Sequence, residues 1–176
     1  STITPMPYLI GIDIGTSSAK AVLIDESGIV KSTVAPEYDF STPKPLWAES
    51  DPDDWWQATI QAIKYLIKEQ NIQPADIAGL GLTGQMHGLV LLDKSGKVLR
   101  PCIMWNDQRS ASQCDSITKR IGAAKVLELT GNPVLAGFTA PKILWVRENE
   151  PEIYAEVAKV LLPKDYIRYL LSGEFY

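Results

Sequence analysis

The sequence predicts an α/β fold, a mixed sheet flanked by helices, and three observations lead there. The first forty residues alternate apolar runs with Gly- and Ser-containing turns; one long amphipathic helix then gives way to further strand-like runs; from Asp107 onward helix-length segments follow one another. The 176 residues suit one domain with at most a small appendage, and at 45% hydrophobic and 22% charged they hold enough apolar material for a core.

Residues 1–7, polar and Pro-containing, read as an N-terminal extension. Tyr8 to Ile14 is a nearly continuous apolar run, as expected of a buried strand. Gly15 to Ser18 makes a turn, Ala19 to Asp25 a second strand, and Ile29 to Tyr38 a third after the Asp25-Glu26-Ser27-Gly28 turn. A Pro-containing loop, Ser41 to Glu49, leads to the clearest helix. Ser50 or Asp51 caps it, Pro52 suits its first position, and Asp53 and Asp54 favour the positive end of its dipole. Trp56, Ile60, Ile63 and Ile67 recur at helical spacing and form its expected apolar face.

Pro74 closes that region. Ile77 to Leu82 reads as a Gly-interrupted strand, Leu89 to Leu99 as a hairpin turning at Asp93 to Gly96, and Pro101 to Trp105 as a short strand. Ser110 to Ile121, Ala123 to Leu129, Pro141 to Glu148 and Lys164 to Leu171 are helix candidates. They are separated by Gly131-Asn132-Pro133, Glu150-Pro151 and Pro163. Ser172 to Tyr176 follows a helix end with two aromatic residues, so the chain is expected to be cut from a longer one.

Composition excludes several function classes. With 17 basic and 21 acidic residues the net charge is −4, unlike a nucleic-acid binder built on clustered Lys and Arg. No stretch of 18 apolar residues appears and no signal peptide is recognisable, so no membrane role is expected. Cys102 and Cys114 form no CxxC pair and read as reduced thiols of a cytosolic protein, and a single histidine argues against a zinc site.

Three segments can carry chemistry. In Asp13-Ile14-Gly15-Thr16-Ser17-Ser18 a strand ends in a tight turn. Its N–H groups and hydroxyls can surround phosphate oxygens, and Asp13 can hold a hydrated Mg²⁺ against them. An ordinary hairpin turn braced by Asp13 is the alternative. Gly84-Gln85-Met86-His87-Gly88 holds the only histidine; imidazole and amide together can bond the hydroxyls of a polyol, or the segment is a β-bulge with a satisfied histidine. Trp105-Asn106-Asp107-Gln108-Arg109 gathers an aromatic, an amide, a carboxylate and a guanidinium at a strand end, although Asp107 also suits a helix cap with Arg109 solvated. Lys142, Lys164 and Arg168 read as solvated helix faces, and Trp47, Trp55, Trp56 and Trp145 as packing anchors with Trp47 the expected exception. The helix following Gly137-Phe138-Thr139 offers an N-terminus to an anion. Walker A, GxGxxG, GxSxG and HExxH patterns are absent.

Beyond these residues, Ile10-Gly11-Ile12-Asp13-Ile14-Gly15-Thr16-Ser17, Pro45-Leu46-Trp47-Ala48-Glu49, Gly84 to Gly88, Trp105-Asn106-Asp107, Gly137 to Lys142 and Leu161 to Tyr166 occur in an order and spacing that resembles the carbohydrate kinases of the FGGY type. The resemblance runs from Tyr8 to the last residue. It implies an RNase-H-like domain of the sugar kinase, actin and heat-shock ATPase superfamily, with residues 8–176 as the first part of the N-terminal kinase domain. The implied reaction is ATP-dependent phosphorylation of D-xylulose at its 5-hydroxyl, with ATP and Mg²⁺ as cofactors and the small-molecule sugar as partner. By the same resemblance Asp13 is the Mg²⁺- and phosphate-associated aspartate, and Gly15, Thr16 and Ser17 form the phosphate loop. Lys20 faces the nucleotide, Met86 and His87 bind sugar, and Trp105, Asn106 and Asp107 lie nearby. The catalytic base, an aspartate, is expected beyond residue 176, which would leave these residues inactive alone. Another sugar or sugar acid, or a non-catalytic actin-like nucleotide-binding module, remains an alternative. A homodimer and a cytoplasmic location are further expectations.

Overall fold

A computed structural model describes residues 7–175, so the expected extension lies outside the described residues except for Pro7. Along the chain run β1 (Tyr8–Ile14), β2 (Ala19–Ile24), β3 (Val30–Val34), β4 (Glu49–Ser50), α1 (Pro52–Glu69), a 3₁₀ turn (Pro74–Asp76), β5 (Ile77–Gly84), β6 (Val90–Leu92) and β7 (Cys102–Ile103). Then come α2 (Ala111–Ile121), α3 (Ala123–Thr130), α4 (Thr139–Asn149), α5 (Pro151–Glu156), β8 (Lys159–Leu161) and α6 (Pro163–Ser172). The described residues cluster into two compact units. One takes the chain up to Asp39, Asp53–Gln85 and the chain from Lys164 on; the other takes Phe40–Pro52 and Met86–Pro163.

The first unit is built on a mixed four-stranded sheet in the order β3-β2-β1-β5, antiparallel except for the parallel β1/β5 pair. Ile10, Ile12 and Ile14 of β1 and Ala19, Ala21 and Leu23 of β2 are all buried on one face. The apolar run of β1 suggested burial on both faces, and the structure corrects this: Leu9 is 43% exposed and Asp13 is exposed. Gly11 and Gly81, paired in register, leave the second face of the sheet without side chains at its centre. Helix α1 departs from its expected stripe in a similar way. Trp55, Ala58, Ala62 and Leu66 form the buried row, whereas Trp56, Ile60, Ile63 and Ile67 are only half-buried beside it. Small residues in that row are what close packing needs; large apolar residues alone pointed one position off. Ser32 of β3 donates a hydrogen bond to the Glu69 carboxylate at the end of α1. β3 is shorter than expected, because the chain beyond Val34 pairs with the turn before β2 instead.

The second unit holds two small antiparallel ladders, β4/β7 and β6/β8, and helices α2 to α5. Leu89, Leu91, Ile103, Trp145 and Val146 form its buried cluster, with Trp47 packed against it. The hairpin turn at Asp93 to Gly96 is present: the Asp93 carboxylate accepts from the Ser95 and Lys97 amides, and Leu99 N–H bonds Leu91 O. α5 and β8 were not foreseen. Pro151 had marked only an interruption, yet proline is well accommodated at a helix's first position and here begins one.

Candidate active site

The first candidate cluster sits where β1 ends. Register places Asp13 opposite Lys20 on β2 and Thr83 on β5, so carboxylate, ammonium and hydroxyl share one sheet face. All three line a cavity of about 410 Å³ whose floor includes Gly11 and Gly81. The following turn is tight: Gly15 N–H bonds Asp13 O and Ser18 O, at 3.1 and 2.9 Å, and a Cβ on Gly15 would lie 3.1 Å from Ser18 O. Thr16 is half-buried; Ser17 is exposed.

Two residues brace this turn: Tyr38, which sequence reasoning missed, and Gln85, whose amide was expected to face a polyol. Tyr38 is buried, and its hydroxyl donates to Gly15 O at 2.7 Å and Ser18 O at 2.9 Å. Burial, and then the nearby Asp13 carboxylate, push its phenol well above the ordinary value, so it stays a donor at any working pH. Gln85 Nε2 also donates to Gly15 O, at 3.3 Å, while its buried Oε1 has no partner among the described residues. Tyr38→Phe is expected to cost about 1–2 kcal/mol, since two turn carbonyls lose their shared donor. Urea denaturation checks this, and an unchanged midpoint would show that the hydroxyl does not hold the turn.

The second cluster lies in the second unit. Met86 is 63% exposed, so its thioether is not part of the core. His87 adopts φ +62° and belongs to no bulge; its carbonyl accepts from Lys142 Nζ at 2.9 Å and Thr139 Oγ1 at 3.2 Å. Its ring lies 4.4 Å from that of Phe138, tilted by 41°. Burial, and then the charge of Lys142, hold the imidazole below its usual range, so it is neutral at pH 7 with one nitrogen donating and one accepting. Trp105 is 44% exposed, and Asn106 keeps a buried Oδ1 that no described group satisfies.

Asp107 is different. It is buried, and it does not cap α2, whose N-cap is Ser110. Its carboxylate accepts from Ala48 N at 2.7 Å and Arg109 N at 2.8 Å, and pairs with Arg109 Nη2 at 2.8 Å. Arg109, expected to be solvated, has a buried side chain that also pairs with Glu49 at 2.8 Å and lies 3.7 Å from the Trp47 ring centre. Trp47 itself meets Trp145 edge-on at 5.3 Å, so it packs as an anchor instead of standing apart. Asp107 therefore shapes the loop that presents Trp105 and Asn106. Lys142, another expected solvated residue, is fully buried. Lys164 pairs with Asp165 at 2.7 Å.

The model of the FGGY family of carbohydrate kinases, N-terminal domain, matches residues 8–176. The chain belongs to the FGGY family of carbohydrate kinases.

Among relatives of this FGGY chain, the xylulose kinase of Escherichia coli (strain K12) is 49% identical over 166 residues, covering 94% of this chain and 34% of that protein. The crystal structure of a xyloylose kinase from Brucella ovis aligns with a TM-score of 0.90 at 46% identity, covering 95% of this chain and 34% of the other. A gluconate kinase from Lactobacillus acidophilus aligns with a TM-score of 0.89 at 29% identity, covering 97% and 34%. The chain thus spans about a third of the length of the curated relatives it matches. FGGY sugar kinases use ATP, usually with Mg²⁺. No group of three or more His, Cys, Asp or Glu that suits a metal occurs among the described residues, and none of their helices is long and apolar enough to cross a membrane. Thr83 comes beside Asp13, Tyr38 beside Gly15, and Lys142 beside His87 only in three dimensions. The pairing that puts Thr83 beside Asp13 crosses a long stretch of sequence and leaves no local signal.

Proposed function

We propose that these residues form the sugar-recognising and phosphate-clamping portion of a longer kinase that transfers the terminal phosphoryl group of ATP to the 5-hydroxyl of D-xylulose. The observation carrying this reading is the 49% identity to a xylulose kinase over 94% of the chain. The residues of the first unit fit the nucleotide's phosphates and Mg²⁺. Gly15 keeps the turn free of a Cβ, the Asp13 carboxylate is exposed at its edge, and the unpaired Gln85 Oε1 suits a water carried by the cation. When bound, Mg²⁺ supplies positive charge against the phosphate oxygens.

In the reaction the sugar's 5-oxygen forms a bond to the terminal phosphorus as the bond to the ADP oxygen breaks. The hydroxyl proton passes to a base, an aspartate proposed to lie outside these 176 residues. Catalysis here is mainly orientation and charge stabilisation. His87 and Asn106 orient the ketose through hydroxyl hydrogen bonds, and Met86 and Trp105 offer apolar surface to its carbon face. Sugar-dependent ADP release by the protein extended to the length of its relatives tests the proposal. Xylulose should be preferred over other ketoses and over gluconate. Gluconate preference would move the assignment to the second reading, which the alignment with a gluconate kinase favours. The 176-residue chain alone should release no ADP. Sugar-dependent release would mean that it contains a base, for which Asp165 is the first candidate.

Within the same assay, His87→Ala should raise the KM for xylulose about tenfold, the scale of one or two lost hydrogen bonds, with little change in melting temperature. An altered melting temperature with unchanged kinetics would return His87 to a structural role.

A further inference from the structure

We infer that Lys142 is a positioning residue: by donating to the carbonyls of both His87 and Gly137, it holds the His87 imidazole and the Phe138 ring together as one preformed surface for a polyol. The polyol rests on the kinase reading above; the clamp itself does not.

Lys142 is 0% exposed and lies on the first turn of α4. A buried ammonium is costly unless it is paired or fully hydrogen-bonded, and a carboxylate is its usual partner. Here the buried carboxylate of Asp107 is committed to Arg109. The Lys142 Nζ protons instead reach two main-chain oxygens, Gly137 O at 2.7 Å and His87 O at 2.9 Å. Removing the amine from water for two carbonyls is a poor stability device, which points to what those carbonyls hold in place.

The backbone at the two carbonyls is constrained in two different ways. His87, a residue with a full side chain, sits at φ +62°, in the left-handed region that favours glycine. Thr139 Oγ1 supplies a second bond to the same oxygen at 3.2 Å. Gly137 is pressed against the Trp105 carbonyl, where a Cβ would lie only 2.7 Å away. One ammonium thus ties the His87 turn to the segment that carries Phe138, and this segment abuts the Trp105-Asn106 loop. The result is an imidazole beside an aromatic ring, and the loop that the segment abuts carries the Asn106 Oδ1 that no described group satisfies. That is the chemistry of sugar recognition: a ring for C–H groups, and polar atoms for hydroxyls. The charged and titratable groups around the clamp are Lys142 on α4, Cys102 on β7, and Asp107 and Arg109 in the loop after it. Burial pushes the Cys102 thiol up to about 12 and the Lys142 ammonium down to about 8, so at pH 7 the thiol is neutral and the lysine still charged.

His87 is the only histidine in the sequence, so its ring proton Hε1 is a single assigned reporter in proton NMR. In the parent chain a nuclear Overhauser contact between the His87 and Phe138 rings is expected. Lys142→Met should remove that contact and raise the His87 titration midpoint, because a positive neighbour is gone; Lys142→Arg, which keeps charge and donors, should restore both. A folded Lys142→Met chain with the contact and the midpoint unchanged would overturn the proposal. Should that variant not fold, the parent still decides. A clamped Lys142 gives slowly exchanging ammonium protons with contacts to His87 and Gly137, and a freely exchanging ammonium would overturn the clamp. Addition of D-xylulose separates the two readings: a shift of Hε1 in the parent that Lys142→Met loses supports both. The absence of a shift in a parent whose ring contact is present removes the sugar and leaves the clamp.

Discussion

Arg109→Met is expected to destabilise the second unit by about 3–5 kcal/mol, the scale for stranding one partner of a buried ion pair. The guanidinium contributes two kinds of contact. It pairs with Asp107 at 2.8 Å and Glu49 at 2.8 Å, and its flat face lies 3.7 Å from the Trp47 ring centre and 5.0 Å from that of Trp145. Methionine fills much of the volume and keeps an apolar contact with the tryptophans, so the loss is mainly electrostatic. Asp107, buried, is left with the Ala48 and residue-109 amides as its donors. A fall in melting temperature of roughly 10 °C is expected for a chain of this size. Adding Asp107→Asn should recover part of it, because the stranded charge is then gone. A single variant melting within a degree or two of the parent would show that the pair is a bystander to Trp47–Trp145 packing.

The largest effect on turnover is expected at Asp13. In the complete kinase Asp13→Ala should lower kcat about 10²- to 10³-fold, the range for removing one fixed electrostatic contact to the transition state, with the sugar KM within twofold of the parent. The carboxylate is exposed at the end of β1 and makes no ion pair among the described residues, so stability should hardly move. Initial rates at varied xylulose and varied Mg·ATP separate the possibilities. Equal losses in sugar affinity and in turnover would count against a phosphate or metal role, and a lowered melting temperature would favour the hairpin-brace alternative.

Much of this was legible in the sequence because it is local. The strand-turn-strand of Tyr8 to Ile24 is written in alternating apolar residues and Gly15, and α1 begins where Ser50 to Asp54 announce a helix start. Asp13, Gly15 and His87 stand out by residue type and glycine neighbours alone. The failures share a different cause. Lys142, Arg109 and Tyr38 are polar residues whose burial depends on partners distant in sequence, at His87, Glu49 and Gly15. A lysine on a short helix is ordinarily solvated, and nothing beside it in the chain signals two waiting carbonyls. β4 and β8 escaped for a related reason: two- and three-residue strands are defined by their ladders, and their partners lie far along the chain.

The interleaving of the two units constrains the order in which the nascent chain completes them. Synthesis runs from the N-terminus, and the described part of the second unit is all made once Pro163 has emerged. The first unit still lacks the segment that resumes at Lys164 then. Its parallel β1/β5 ladder joins residues about seventy apart, a slow kind of pairing for a growing chain. The β1 edge that later pairs with β5, and with it the backbone leading to Asp13, therefore waits unpaired on the ribosome through the synthesis of β3, β4 and α1, and a chaperone that masks strand edges has its window there.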